Sequence, residues 1–583
     1  MLIRSASLAL ALVALNPTAL PARPATTASK RASADARLEA LAKRIIDGYL
    51  RLNPESATQL GDHRFDGRLS DLGSGGRAKQ RAWTKAQRAA LLAIPETQLS
   101  PENQVDRAIL RDQLDGALFQ LDGLKSWQWN PLAYNPGDAI YGLLSRDFAP
   151  LPERMESVKA RLLLIPGLLE SAKANLKNPP RIYTETAIQQ FQGALAMVRE
   201  DVGASAAQVG MKDELAPAQD KAAKALDDFI AWMKSDLLPH SSGDFRVGKE
   251  NFRKELRYTL NSDLSMEEIL KRAEAGLKTT KAEMLEVAKS LFASYFPGQT
   301  ETDPNTLIKA VLDRIAEKRP TNDTIVALAT SDLKQAADFV RGHALVSVPD
   351  EPVKIIVMPE FQRGVAVAYC EAPGPLEAHG STFFAISPTP ADWRPERVQS
   401  FFREYNEAMV QDLTVHEAMP GHYLQLAHSN AFKAPTLVRG IFTSGLFAEG
   451  WAVYGEQLMA RAGYGGPEVR MEQLKMRLRV IINAILDQKI HTRGMTEQQA
   501  LDLMEHEGFQ EEGEAVGKWR RACLSSTQLS TYFVGASEMD DIRAAAEAKA
   551  AQDKVAFDQR AFHDRLLSFG SPAPKYARRL MGL

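Results

Sequence analysis

Apolar positions recur at three- and four-residue steps along most of the chain, the period of a helix with one buried face. In "SMEEILKRAEAGLKTTKAEMLEVAKSL", Ile269, Ala273 and Leu277 follow one another at four-residue steps, behind Ser265 and Glu268 in capping-box spacing. "TEQQALDLMEHEG" opens the same way with Thr496 and Gln499 and stops near Gly508. The same pattern predicts helices around 34–52, 153–176, 219–237, 307–341, 396–430, 440–462 and 467–491, and in the alanine-rich end at 544–551. One region departs from it. "PVKIIVMPE", "GVAVAYCEAP" and "STFFAISP" are short β-branched and aromatic runs bounded by Pro and Gly, and predict a small sheet of three strands at 352–388. The expected fold class is therefore mainly α with a small β-sheet. A loop-like stretch, "PHSSGDFRVG" at 239–248, divides an N-terminal helical part (34–240) from a second part (249–583).

Composition narrows the function classes. The 583 residues are 45% hydrophobic and 25% charged, the balance of a globular protein with a large core. A formal net charge of -2 and the lack of a dense Lys/Arg cluster argue against a nucleic-acid partner. Residues 1–22, "MLIRSASLALALVALNPTALPA", carry Arg4, then an apolar run from Ser5 to Leu15 too short to span a bilayer, then small residues. They read as a signal peptide cleaved near Ala22, and so as export to the periplasm or beyond. No cysteine lies near that segment, which argues against a lipid-modified N-terminus. No later run is long enough for a membrane span. The two cysteines, Cys370 and Cys523, are too few for a thiolate zinc cluster; a disulfide and two buried thiols are both open.

The candidate chemistry lies at Thr414–Gln425, "TVHEAMPGHYLQ", which holds His416, Glu417 and His422. Residues on a helix turn by about 100° each, so histidines six apart point about 240° apart and cannot share a metal on an unbroken helix. Pro420 and Gly421 stand between them. Proline denies an N–H to the carbonyl of His416, and glycine is free to take positive φ, so a break there can return His422 toward His416. Glu417 then stands beside the metal, placed to take a proton from water. The competing reading is a helix–turn–helix junction with unrelated histidines. A hydrolytic zinc needs a third protein ligand. In "GLFAEGWAVYGEQL", Glu449 and Glu456 share a helix face in apolar company, which suits a ligand better than a solvated stripe. Asp487 and His491 are i, i+4, either an oriented oxyanion donor or a surface pair. Tyr532 is either a phenol donor or core packing. Asp412 and Gln425 are candidate partners for the histidine ring nitrogens, and His428 is a competing ligand.

"HEAMPGHYLQ", "FAEGWAVYGE", "LDQKIHTRGMT" and "STQLSTYFVG", in this order, resemble the bacterial domain-of-unknown-function family 885, whose H-E-x-x-P-G-H motif is similar to that of gluzincin metallopeptidases. "NPESATQLGDHRFDGRLSD", "FRVGKENFRKEL" and "FHDRLLSFGSPAP" extend the resemblance over roughly residues 38–583. It implies one Zn2+ held by His416, His422 and Glu449, with Glu417 as general base and Tyr532 and His491 on the oxyanion side. The metal-site helices then span 396–535. Ser526-Thr527 and Phe533 depart from the family's Pro-Gly pair and following Lys. The resemblance further implies a helical shell around a deep cleft, with "GSTFFAIS" either an edge strand that pairs with substrate or an ordinary buried strand. The expected activity is hydrolysis of short peptides by an exported zinc metallopeptidase. The alternatives are a non-catalytic binding protein that keeps the metal site, and a zinc amidase acting on non-peptide substrates.

Overall fold

The computed structural model describes residues 25–358, 367–377, 380–391, 393–432 and 434–583; the expected signal peptide lies outside them. Helices dominate, and several begin where the sequence places a cap. Ser265 accepts a hydrogen bond from the Glu268 amide, and Thr496 and Gln499 close a reciprocal capping box. Two of the expected long helices are interrupted. The 307–341 segment forms Pro304–Ile315 and Ile325–Gly342, separated by a turn that contains Pro320. The 396–430 segment forms three helices: Pro395–Glu404, Glu407–Glu417 and His422–Asn430.

The sheet has strands β1 (Val353–Val357), β2 (Ala368–Glu371) and β3 (Thr382–Ile386), in the order β1-β3-β2. β3 runs parallel to β1, with Val353 opposite Thr382, and antiparallel to β2, with Cys370 opposite Phe384. This decides between the two readings of "GSTFFAIS" in favour of an ordinary buried strand and against the substrate-pairing edge. That segment is the central strand, and its backbone groups are already shared with two neighbours, so it has no edge to offer a substrate. β2 lies on an edge among the described residues and packs against the Glu407–Glu417 helix.

The core crosses the loop at 239–248. Leu38, Leu41 and Ile45 of the first helix and Ile109 and Leu110 of Pro101–Leu118 share a cluster with Val438, Ile441 and Tyr576. A buried ion pair, Arg439 to Asp106 at 2.8 Å, ties the same regions together. Residues 134–238 build a separate apolar cluster around Phe191 and Phe229. The largest cluster surrounds the sheet and the helices that carry His416, His422 and Glu449. The Gly466–Arg493 helix lies against these and is buried along most of its length. Among the described residues no helix is long and apolar enough to cross a membrane.

Candidate metal centre

The Glu407–Glu417 helix starts at Asn406, whose side chain accepts from the Met409 amide, and ends one residue after His416. The chain then leaves the helical path. The amides of Ala418 and Met419 both donate to the Thr414 carbonyl, at 3.0 and 3.2 Å, and the Gly421 amide donates to the Val415 carbonyl at 2.9 Å. The Met419–Pro420 peptide is cis. Gly421 has φ of -70°, so the positive φ anticipated from the sequence is not what it supplies. It supplies space: a Cβ there would stand 1.8 Å from the His416 carbonyl oxygen. The Gly445–Arg461 helix holds this turn from outside, because the Trp451 indole donates to the Pro420 carbonyl at 2.8 Å. A new helix starts at His422.

This break aims both histidines at Glu449. The Nε2 atoms of His416 and His422 lie 3.6 and 3.4 Å from the same carboxylate oxygen, and the ligand atoms of the three residues all lie within 4.8 Å of one another. Those separations exceed good hydrogen bonds, and the Glu449 Oε2 atom is buried without a hydrogen-bond partner. The two histidine-to-Glu449 distances lie near the edge of a metal tetrahedron instead: ligands about 2.0–2.1 Å from zinc stand roughly 3.3 Å from each other. Two imidazole nitrogens and a carboxylate oxygen are also the donor types zinc takes.

Electrostatics favour a cation. Burial works against charge on Glu449, but the two imidazoles outweigh it and hold the carboxyl well below the usual carboxylate range. Burial likewise opposes a charged His416, and Glu449 and Glu456 reverse that and raise it. Glu417, Glu449, Glu456 and Asp412 gather here, and among the described residues no Lys or Arg forms an ion pair with any of them.

The groups behind the ligands differ from those expected. Glu456, not Asp412, accepts from His416 Nδ1, at 2.6 Å. This bond fixes the tautomer that leaves Nε2 free. Glu449 and Glu456 thus divide one helix face between ligand and orienting group. Asp412 lies 2% exposed with Oδ2 unpartnered; burial and the Glu456 charge push its carboxyl up. Gln425 donates to Ser571 Oγ rather than to a ring nitrogen, and His428 is bonded to the Ser347 carbonyl, outside the group. Glu417 is 8% exposed and makes no side-chain hydrogen bond among the described residues. Cys370 of β2 lies near it: burial, and then the Glu417 charge, push that thiol up. Cys370 and Cys523 are both free thiols.

His491 does not join the site. Its ring lies between Phe245 and Phe252, and Nε2 is bonded to the Ala522 and Ser525 carbonyls at 3.0 Å each. Its available proton is committed to backbone, which leaves none for an oxyanion. Asp487 does not orient it either. Asp487 accepts from the Thr527 amide at 2.8 Å and from the Ser530 amide and hydroxyl at 3.1 and 2.6 Å. Together the two residues pin the turn that leads into the Ser530–Gln552 helix and Tyr532. Thr527 sits in that turn at φ of 67°, where glycine is favoured. Tyr532 packs against the cluster of Val453, Val480 and Ala536, in which Val453 stands one turn beyond Glu449, and its hydroxyl accepts from Arg521 at 3.0 Å. The two helices approach this closely because Gly450 meets Gly535: a Cβ on Gly450 would lie 2.5 Å from the Gly535 carbonyl carbon.

The family described as "Bacterial protein of unknown function (DUF885)" matches residues 54–581. A solved structure from Shewanella oneidensis, described as a "putative lipoprotein of unknown function", is 33% identical; the match covers 93% of this chain and 99% of that one, with a TM-score of 0.80. A second, a "putative lipoprotein" from Colwellia psychrerythraea, is 17% identical, with 94% and 99% covered and a TM-score of 0.74, and so shares the fold. No curated protein matches the sequence.

Proposed function

The chain belongs to the bacterial DUF885 family, and we propose that it is an exported, zinc-dependent metallopeptidase that hydrolyses peptide bonds of short peptides. The observation that carries this reading is the ligand triangle: three donor atoms from three separate helices, all within 4.8 Å of one another, with both histidine nitrogens near tetrahedral spacing from the Glu449 oxygen. In that position zinc would supply Lewis acidity, which activates water and polarises a carbonyl. His416, His422 and Glu449 would hold it, with His416 aimed by Glu456. Glu417, next to His416 and with no side-chain hydrogen bond among the described residues, takes the proton of the attacking water and returns it to the leaving amine. Tyr532 is the remaining candidate donor on the oxyanion side. Its hydroxyl accepts from Arg521, which leaves its own proton free. The apolar leader supports export, as does the description of the two relatives as lipoproteins.

The reading is tested by digesting a short-peptide library with the zinc-loaded protein and reading the products by mass spectrometry. Defined cuts that vanish in Glu417→Gln are expected. An uncut library excludes the peptidase, and cleavage confined to other amides makes the protein a zinc amidase instead.

A further inference from the structure

The Glu512–Leu524 helix faces the Gly466–Arg493 helix across a polar interface, and the charges there do not balance. Lys475 is paired with Glu404 at 2.8 Å. Arg479 is paired with Glu514, which also accepts from the Tyr405 hydroxyl at 3.3 Å. These two carboxylates are thereby used. Lys518 is 8% exposed, makes no hydrogen bond among the described residues, and has its nearest carboxylate oxygen, on Glu514, at 3.9 Å. Arg521, one turn further on, bonds only neutral groups among the described residues, Gln528 Oε1 and the Tyr532 hydroxyl, both at 3.0 Å. Burial, and then the Arg479 and Arg521 charges, push the Lys518 ammonium well below the usual lysine range. Arg521 has no carboxylate partner among the described residues, and Lys518 has only the distant one that Arg479 already holds, so the pair is an incomplete arrangement that an anion, by drawing a proton from water onto Lys518, completes.

The position indicates which anion. Tyr532 joins the two assemblies: its hydroxyl meets Arg521, and it packs against the apolar cluster of Val453, Val480 and Ala536, in which Val453 stands one turn from Glu449. Arg521 is exposed and Tyr532 half-buried, so the pair is reachable from solvent, with Lys518 behind it. We propose that Lys518 and Arg521 receive the free C-terminal carboxylate of the peptide, so that the enzyme acts at carboxyl ends. This rests on the peptidase reading for its substrate class. The geometry itself is a carboxylate receptor: a guanidinium fork and an ammonium at one end of the chain, and the metal group beyond Tyr532 at the other.

The test separates the receptor from the hydrolysis. In the Glu417→Gln protein, calorimetry compares an N-acetylated tetrapeptide without acidic residues, as the free acid and as its C-terminal amide. The acid is expected to bind at least about tenfold more tightly. Adding Lys518→Met, or Arg521→Leu should the first fail to fold, is expected to bring that ratio close to one through weaker binding of the acid, and Lys518→Arg to restore part of it. Equal affinity for acid and amide overturns the proposal, as does a ratio that survives both substitutions. Cleavage by the unaltered protein is scored separately. Cleavage without acid preference removes the receptor alone, and acid preference without cleavage removes the peptidase alone.

Discussion

The two ends of the Glu407–Glu417 helix carry opposite kinds of charge. At its C-terminal end, Glu417, Glu449, Glu456 and Asp412 surround two imidazoles, with no Lys or Arg paired to them among the described residues. At its N-terminal end, Lys475 holds Glu404 and Arg479 holds Glu514, which leaves Lys518 only Glu514 at 3.9 Å and Arg521 no carboxylate among the described residues. Burying an uncompensated charge is expensive, so each end is built for a partner of the opposite sign. The first suits a divalent cation, and the negative end of the helix dipole adds to that preference. The second suits a carboxylate. A short peptide on zinc with its terminus on Lys518 and Arg521 would satisfy both.

The contrast breaks most sharply at Glu417. Changing it to Gln removes the base while keeping the side-chain shape, and kcat for peptide cleavage is expected to fall by about 10²–10⁴ with zinc retained. Retained turnover takes Glu417 out of the base role. Gly421→Ala comes next. The Cβ collides with the His416 carbonyl, so thermal unfolding should show a loss of about 2–4 kcal/mol, with weaker zinc binding in whatever folds. An unchanged melting curve would mean that the break does not need glycine. Glu456→Gln keeps a side-chain oxygen for His416 Nδ1 but removes the carboxylate charge, and should weaken zinc by about 10–100-fold in a competition titration with a chelator.

The smallest effect lies at the N-terminal end. Glu472 accepts from Asn406 at 2.7 Å and sits beside Lys475. Burial, only partly offset by Lys475 and Asn406, raises its carboxyl to about 7. A carboxyl raised in the folded state is a proton held by the fold. Its contribution is complete below the unfolded value near 4.5 and is lost as pH rises through about 7. Glu472→Gln is therefore expected to raise Tm by ~1–2 °C near pH 8 and by less near pH 5. A gain that grows toward low pH would reverse the assignment.

Much of this was legible along the chain because its causes are local. Pro420-Gly421 between His416 and His422 announces a break, and Glu449 sits in an apolar helix that leaves a carboxylate few other uses. What stayed hidden depends on which distant segment arrives alongside. The spacing of Asp487 and His491 places them on one face, but their partners come from the turn at 522–530, some 31–43 residues on. Asp412 has the right spacing to orient His416, yet Glu456 reaches the ring from another helix. Strand order is equally non-local: "STFFAIS" reads alike as edge or centre, and only the arrival of β1 and β2 on its two sides decides it. The Lys518–Arg521 pair has no motif, because it appears only once Glu404 and Glu514 are seen to be taken.

The most direct test of the metal centre is zinc content by plasma mass spectrometry after zinc loading and exhaustive dialysis, in the unaltered chain and in His422→Ala. The account predicts about one zinc per chain in the first and none retained in the second. A chain that keeps no zinc, or a His422→Ala variant that keeps as much as its parent, would contradict it.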